Sequence, residues 1–242
     1  MTDSPKSLPL PGPEDRTLVI GRTGSGKTVF ALWLFSMVYE KGDRWIVIDF
    51  KREHQIAQIP YVQYISMGVI PSEPGVYVVQ PMPDQQDELN DYLMQVWDAE
   101  NIGLYIDEGV MLANSSALDA ILIQGRSKHI PVIMATQRPV GISRYAFSES
   151  QYFVVFPSHD KRERKTISEF TPLFAYREDL DEILLPPYHS YWYDVVRRKL
   201  HKLAPVPNIP VIMRTFAVKL KPPEPEVQLK EQIKAERVIA IL

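Results

Sequence analysis

Short apolar runs alternate along this chain with longer segments of mixed polar and apolar residues. Between residues 17 and 156 the runs are TLVI, RWIVIDF, VYVVQ, IGLYID, PVIMAT and YFVVF. They are nearly continuous in apolar character, which is typical of strands covered on both faces. The alternation of such strands with helical segments predicts a mostly parallel sheet with helices on both sides.

The segments between these runs have the spacing of helices. The predicted helices are Lys27 to Tyr39, Asp84 to Ala99 and Ser116 to Lys128. Apolar residues in the second recur every three or four positions, which gives one face toward the sheet. A fourth helix is predicted within residues 158 to 170, with Ser158 or Asp160 as its N-terminal cap. After residue 170 the periodicity weakens, and either a small lobe or a last pair of strands is expected.

Composition sets the domain organisation. A chain of 242 residues with 45% hydrophobic residues can bury a core without disulfides, and it has no cysteine. Thiolate metal sites and cysteine nucleophiles are thereby excluded, and a reducing compartment is favoured. Proline-rich stretches at both ends predict a flexible N-terminal arm at 1–16 and a linker with a helical tail at 216–242, which leaves 17–215 as the globular domain.

Charge and hydropathy limit the possible partners. The formal net charge of -3 implies that any contact with nucleic acid is made by local basic patches. No apolar stretch approaches the roughly 20 residues needed to span a bilayer, and the first residues do not resemble a signal peptide. We therefore expect a cytosolic chain.

The segment GRTGSGKT, Gly21 to Thr28, follows the first predicted strand and precedes the first predicted helix. It fits the phosphate-binding pattern G-x-x-x-x-G-K-[ST] in the strand–loop–helix context that the pattern requires. Backbone N–H groups of the loop would cradle phosphate oxygens, Lys27 would hold the β and γ phosphates, and the Thr28 hydroxyl would bind Mg²⁺. The predicted nucleotide-binding residues are Gly21, Arg22, Thr23, Gly24, Ser25, Gly26, Lys27 and Thr28.

An acidic pair ends the apolar run IGLYID. Asp107 would bind the metal through water, and Glu108 directly after it would orient and deprotonate the attacking water. This arrangement favours hydrolysis over transfer to a bound acceptor. The chain lacks the Asn/Thr-Lys-x-Asp motif with which GTPases read their base, so ATP is the predicted nucleotide.

The segment PVIMATQRP adds a polar strand end. Gln137 at the tip of this strand can contact the γ phosphate and report its loss. This role requires that the strand lie beside the one that carries the phosphate loop.

Together these segments resemble the FtsK-HerA superfamily of ring-forming, DNA-pumping ATPases. GRTGSGKT, VIDFKRE, LYIDE, GRSKHIPVIMATQRP and FVVFPSHDKRERKTIS occur in that family's order, between about residues 17 and 170. The resemblance implies a RecA-like, additional-strand P-loop NTPase fold, α/β in class, with extended N- and C-terminal arms. It also implies ATP and Mg²⁺ as the cofactors.

The same resemblance assigns catalytic roles. It implies that Glu108 polarises water, that Gln137 is the sensor, and that Arg126, on the helix before the sensor strand, reaches the nucleotide of the neighbouring subunit. Arg138 and Arg144 are competing candidates for this arginine finger. Asp49 and Lys51 match the family's Asp-x-Lys position near the active site.

No segment of this sequence resembles the membrane spans or the additional domains of other superfamily members, so we expect a chain that is nearly a bare motor domain. In this respect it is similar to the genome-packaging ATPases of tailless double-stranded-DNA viruses with an internal membrane. The resemblance implies an ATP-driven double-stranded-DNA translocase that packages a viral genome into a preformed capsid. Such an enzyme would act as a homo-oligomeric ring, expected to be a hexamer, in the cytoplasm of the host cell or at the virion vertex, with a capsid vertex protein or a viral membrane protein as further partner.

Other functions remain open from the sequence. Within the motor class these are a DNA-transfer ATPase and the assembly ATPase of a filamentous phage. From other classes they are a small-molecule P-loop phosphotransferase and a nucleotide-gated structural subunit. Candidate basic elements for DNA contact are Lys51–Arg52, Lys161–Arg162 with Arg164–Lys165, and Arg197–Lys199 with Lys202.

Overall fold

Alternating strands and helices make up the computed structural model, which describes residues 8–158, 160–171 and 185–222. In chain order the elements are β1 (Arg16–Ile20), α1 (Lys27–Val38), β2 (Arg44–Asp49), α2 (His54–Ala57), β3 (Gln63–Tyr64), β4 (Gly75–Val79), α3 (Gln86–Ala99), β5 (Gly103–Asp107), α4 (Ser116–Gln124), β6 (Val132–Thr136), α5 (Tyr145–Ser148), β7 (Tyr152–Val155), α6 (Lys161–Phe170), β8 (Ser190–Asp194), β9 (Lys199–Leu203) and α7 (Ile209–Leu220). All of the apolar runs singled out in the sequence form strands.

The strands form one sheet in the order β3-β4-β2-β5-β6-β1-β7-β8-β9. Strands β1 to β7 pair in parallel, and β8 and β9 are antiparallel to their neighbours. Strand β6 lies between β1 and β5, so an extra strand separates the phosphate-loop strand from the strand that ends in Asp107. This confirms the predicted additional-strand α/β fold and the position of β6 beside β1.

Helices cover both faces of the sheet. On one face α1 lies between the sheet and α7, and Phe30 and Leu34 of α1 are fully buried. The Phe35 ring stacks on Tyr105 of β5 at 5.5 Å and meets Phe216 of α7 edge-on at 5.1 Å between ring centroids. A helix buried on nearly all sides carries apolar residues all round, which explains why α1 has no polar stripe.

On the opposite face α3 and α4 pack side by side. Leu89, Leu93 and Val96 of α3 are buried in the core, as their spacing predicted. Helix α6 begins where the cap was expected, since the Asp160 carboxylate accepts hydrogen bonds from the N–H groups of Arg162 and Glu163 at 2.7 and 3.3 Å. Of the two alternatives for the region after residue 170, the pair of strands is correct, because β8 and β9 form a hairpin.

Helix α4 is shorter than predicted. It ends at Gln124 instead of Lys128, and Gly125 to Lys128 form a turn. The Gly125 carbonyl accepts the N–H of Ile130 at 2.9 Å, and a Cβ on Gly125 would lie 2.3 Å from the Ile121 carbonyl oxygen. The chain therefore turns tightly here to enter β6.

Two elements cross the predicted domain boundaries. Strand β1 begins at Arg16, and α7 continues to Leu220 with Phe216 fully buried. The remainder of the predicted N-terminal arm and C-terminal tail, residues 1–7 and 223–242, lies outside the described residues, so the division into arm, domain and tail stays a prediction. No helix in the described ranges is both long and apolar enough to cross a membrane.

Candidate nucleotide-hydrolysis site

The carboxyl ends of the parallel strands bring the predicted site residues to one edge of the sheet. The loop Gly21–Thr28 follows β1, Asp107 ends β5, and Gln137 follows β6. The Gly21 N–H donates to the Thr136 carbonyl at 3.1 Å, so the loop is tied to the end of β6. In open α/β sheets this edge is where ligands bind.

The loop has the backbone that phosphate binding requires. Gly24 and Gly26 have φ angles of 78° and 95°, in the left-handed region that favours glycine. A Cβ on Gly21 would lie 2.5 Å from Ser25 Oγ, so close packing of the loop also needs glycine there. Helix α1 begins at Lys27 with no side-chain cap, which leaves its first N–H groups and its positive end available to an anion.

Glu108 is buried and held from two sides. Its carboxylate forms an ion pair with Lys51 and accepts hydrogen bonds from Thr136 Oγ1 at 3.3 Å and from the Gln137 N–H at 3.2 Å. Its backbone has a φ of 72°, an unfavourable conformation for a residue with a side chain. Strained residues of this kind cluster at functional sites, where the surrounding structure holds them in place.

The ion pair with Glu108 also affects the pKa of Lys51. Partial burial lowers the pKa of Lys51, but its hydrogen bond with Glu108 and the negative charges around it outweigh this effect, so the pKa lies above its usual value. Lys51 is therefore charged at neutral pH and neutralises the buried carboxylate. The sequence predicted that Lys51 lies near the site, and the structure shows that its partner there is Glu108.

Asp107 is fully buried, and no described residue donates a hydrogen bond to either of its carboxylate oxygens. Burial raises its pKa to about 6, against the attraction of the nearby Lys27 and Lys51. Its neighbour on the adjacent strand β2 is Asp49, which by contrast accepts hydrogen bonds from the Gln80 side chain and the Glu53 N–H, each at 3.0 Å. A buried carboxylate without hydrogen bonds fits a cation that arrives with the nucleotide, because hard cations prefer oxygen ligands.

The predicted sensor contacts the phosphate loop directly. The Thr23 hydroxyl donates to Gln137 Oε1 at 2.6 Å. The end of β6 thus contacts both the loop, through the Gln137 side chain, and Glu108, through the Gln137 N–H. A change at the loop can reach the buried carboxylate through one residue.

Arg126 lies away from this edge. It belongs to the turn after α4 and not to the helix on which it was expected, and its side chain is 74% exposed. Its Nε is 3.4 Å from Glu14, just before β1, so it lies at the edge of the sheet opposite the loop that follows β1. A strand of this length spans roughly 16 Å, too far for Arg126 to reach the loop of its own chain.

The competing arginines occupy other positions. Arg138 directly follows Gln137 and is exposed at the phosphate-loop edge. Arg144 lies over the ring of Phe170, 5.3 Å from its centroid. Of the three, Arg138 is the nearest in sequence to the site.

Sequence reasoning missed Gln80 and Thr136 as parts of the site. Gln80 fixes the Asp49 carboxylate, and Thr136 donates to Glu108. Both are polar residues at the carboxyl end of an apolar strand, the same signal that identified Asp107. Applied to every strand, that signal would have found them.

Comparisons with known proteins agree with this geometry. The chain is 35% identical over 221 residues to the DNA packaging ATPase P9 of Enterobacteria phage PRD1, a match that covers 87% of this chain and 95% of that protein. No protein-family model matches the chain.

Solved structures share the fold. The genome packaging NTPase B204 from Sulfolobus turreted icosahedral virus 2, in complex with AMPPCP, superimposes with a TM-score of 0.63 at 22% identity and covers 81% of this chain and 100% of that one. The cytoplasmic domain of the type VII secretion ATPase EccC from Thermomonospora curvata gives a TM-score of 0.56 at 16% identity, over 88% of this chain and 29% of that one. The sequence identity of 35% to P9 of phage PRD1 extends over most of this chain and most of P9. The protein therefore belongs to the family of viral DNA-packaging ATPases that includes P9 of phage PRD1, as the resemblance to viral genome-packaging ATPases predicted.

Proposed function

We propose that this chain hydrolyses ATP to move double-stranded DNA into a preformed viral capsid. The observation that carries the proposal is the buried Glu108 carboxylate, held between Lys51 and the end of β6 at the edge where the phosphate loop lies. The kinship with P9 supports packaging as the use of the hydrolysis. Phosphate binding by itself would suit many other reactions.

The chemistry follows from the positions of the side chains. The loop N–H groups and the N-terminus of α1 bind the triphosphate, and the buried Lys27 ammonium neutralises the β and γ phosphates. Glu108 accepts a proton from water as the water oxygen bonds to the γ phosphorus. The bond from that phosphorus to the β–γ bridging oxygen breaks, and ADP and phosphate leave.

Mg²⁺ belongs to this proposal. The Thr28 hydroxyl and the Asp107 carboxylate, which has no hydrogen-bond partner among the described residues, would hold it. When bound, the cation neutralises charge on the β and γ phosphates. Binding of the cation would also offset the unfavourable free energy of burying the Asp107 carboxylate.

Coupling to movement would run through Gln137. Loss of the γ phosphate changes what the phosphate loop contacts, and Thr23 of that loop bonds to the Gln137 side chain. Because the Gln137 N–H also bonds to Glu108, the state of the loop and the position of the catalytic carboxylate are linked. In this proposal Gln137 is the sensor.

The active form would be a homo-oligomeric ring, with six subunits as the expected number. Arg126 supports this, since it is exposed at the edge of the sheet opposite its own phosphate loop. From there it could complete only the site of a neighbouring subunit. An arginine supplied across an interface makes hydrolysis depend on assembly.

Contact with DNA would be made by exposed basic side chains and would be independent of sequence. Two of the candidate elements are partly engaged elsewhere, since Lys51 pairs with Glu108 and Arg197 pairs with the buried Asp194 at 2.8 Å. Lys161 and Arg162 at the start of α6 are exposed and remain the better candidates. Packaging would take place in the host cytoplasm or at the virion vertex, against a capsid vertex protein or a viral membrane protein.

The test is an ATPase assay with and without double-stranded DNA, combined with a measurement of mass in solution. We expect DNA-stimulated turnover by an oligomer. The variant Glu108→Gln should bind ATP normally and lose at least about 100-fold in turnover, as for the loss of a general base. A monomer whose turnover is indifferent to DNA, or a phosphorylated small-molecule product, would contradict the proposal.

A further inference from the structure

An exposed aromatic ring lies against the phosphate loop. A Cβ on Gly26 would be 3.1 Å from Tyr188 Cδ1, which shows how closely the ring approaches the loop. Tyr188 nevertheless keeps 59% of its surface accessible to solvent. A large ring that is half open beside a phosphate-binding loop is available to a ligand of that loop.

The sheet topology brings this residue to the loop. Strand β8 runs antiparallel to β7, with Tyr191 opposite Val155, so the residues just before β8 lie at the carboxyl end of β7. That end adjoins the end of β1, because the Phe156 N–H donates to the Ile20 carbonyl at 2.8 Å. Tyr188 therefore lies at the edge of the sheet where the phosphate loop begins.

The Tyr188 ring lies on the side of the phosphate loop away from Asp107. In the sheet order β5-β6-β1-β7-β8, the strand that ends in Asp107 lies on one side of β1 and the strand that follows Tyr188 lies on the other. A nucleoside triphosphate has its γ phosphate and its base at opposite ends. With the γ phosphate toward Asp107 and Glu108, the nucleoside end points toward Tyr188.

The backbone holds the ring in this position. Pro186 and Pro187 precede Tyr188, the His189 N–H donates to the Pro186 carbonyl at 3.1 Å, and Tyr188 itself has a φ of 65°. Proline restricts the chain before the turn, and a positive φ is uncommon for an aromatic residue. Such strain at a ligand-facing position is typical of preorganised sites.

We propose that Tyr188 forms the nucleoside-binding surface of this site and that its ring stacks on the base of the bound ATP. This inference rests on the proposed ATP hydrolysis at the same loop and extends it to the end of the nucleotide that carries no phosphate. Aromatic rings stack on the faces of bases, and the contact does not depend on which base is present. The ring would thus add affinity for nucleotide without selecting adenine.

The alternative role for Tyr188 is to support the loop from outside. In that case its removal would disturb phosphate binding itself. The two roles separate when a ligand with a base is compared with inorganic tripolyphosphate, which has none. Stacking predicts an effect on the first ligand alone.

The experiment measures equilibrium binding of non-hydrolysable ATP and of tripolyphosphate to the full chain and its variants. Tyr188→Ala should bind the ATP analogue about tenfold more weakly, the scale of one base–aromatic contact, and should bind tripolyphosphate as before. Tyr188→Phe should behave like the unchanged chain, since stacking needs the ring and not the hydroxyl. Tyr64→Ala is the matched control, because Tyr64 in β3 is 53% exposed at the far edge of the sheet.

Equal weakening of both ligands by Tyr188→Ala, or weakening of neither, would overturn the proposal. Thermal unfolding of each variant confirms that it is folded. If the unchanged chain bound no ATP, the proposed hydrolysis would fail together with this inference. If it bound ATP but showed no response to DNA, only the packaging function would fail, and the comparison at Tyr188 would still decide the role of the ring.

Discussion

Lys51, two residues after β2, forms an ion pair with Glu108, which follows β5. The Glu108 side chain is 3% exposed and the Lys51 side chain 37%, so the lysine brings a positive charge from the surface to a buried carboxylate. The pair joins two neighbouring strands at the edge of the sheet where hydrolysis is proposed. It is thus part of both the fold and the site.

Lys51→Met should lower the free energy of unfolding by about 1 to 3 kcal/mol. It leaves Glu108 buried without its cation, and the cost stays below that of a fully buried pair because Lys51 is partly exposed. The double variant with Glu108→Gln should recover most of this loss, since no buried charge then remains. Denaturant unfolding of the single and double variants measures the coupling, and strictly additive losses would contradict it.

Gln137→Ala should reduce kcat about tenfold and change the KM for ATP little. The substitution removes the bond to Thr23 while the phosphate loop keeps its own ligands, and one lost hydrogen bond corresponds to about 1.5 kcal/mol. Thr23→Val removes the same bond from the loop side and should have the same effect. Steady-state ATPase kinetics test both, and a raised KM with unchanged kcat would mean that Gln137 only supports the loop.

Asp107→Asn should stabilise the metal-free protein at neutral pH by about 3 kcal/mol while it abolishes activity. Because the pKa of Asp107 is about 6 in the fold and 3.8 in the free side chain, the folded chain retains a proton between these values that the unfolded chain releases. Rising pH through this window therefore costs stability, and the full cost is present above pH 6. Asparagine carries no charge, so the variant does not suffer this loss of stability. Its higher stability should disappear below about pH 4, where Asp107 of the unchanged chain is protonated in both the folded and the unfolded state.

Thermal unfolding in the presence of a chelator, at a series of pH values, measures this difference. Asp49→Asn is the matched control on the neighbouring strand. Its carboxylate already accepts two hydrogen bonds, so the substitution should bring no gain in stability. A gain in the Asp49 variant equal to that in the Asp107 variant would show that the effect does not come from the unpaired carboxylate.

Arg126→Ala should leave the thermal stability unchanged and reduce the DNA-stimulated turnover of the assembled protein by roughly 10³-fold. Its ion pair with Glu14 is exposed and contributes little to stability. Mixing the variant with the unchanged chain should inhibit the mixture more than in proportion to its share. Arg138→Ala and Arg144→Ala are the comparisons, and full activity in Arg126→Ala with loss in either of them would assign the finger to that arginine.

The sequence by itself determined the strands of the central sheet, the phosphate loop and the acidic pair. Each depends on a local pattern: apolar runs with polar ends, the glycine spacing at Gly21 to Thr28, and an apolar strand that ends in Asp107 and Glu108. Because parallel strands bring their carboxyl ends to one edge, these local patterns were enough to predict that the loop and Asp107 meet.

Only the tertiary structure decided how distant residues pair at that edge. Helix α4 ends at Gln124, which places Arg126 in a turn. This end depends on the tight turn by which the chain enters β6, and helix propensity alone does not predict that turn. Lys51 finds Glu108 because β2 and β5 are neighbours, and Tyr188 reaches Gly26 because β8 returns antiparallel beside β7. Strand order and direction are set by how the whole core packs, and no short window of sequence contains that information.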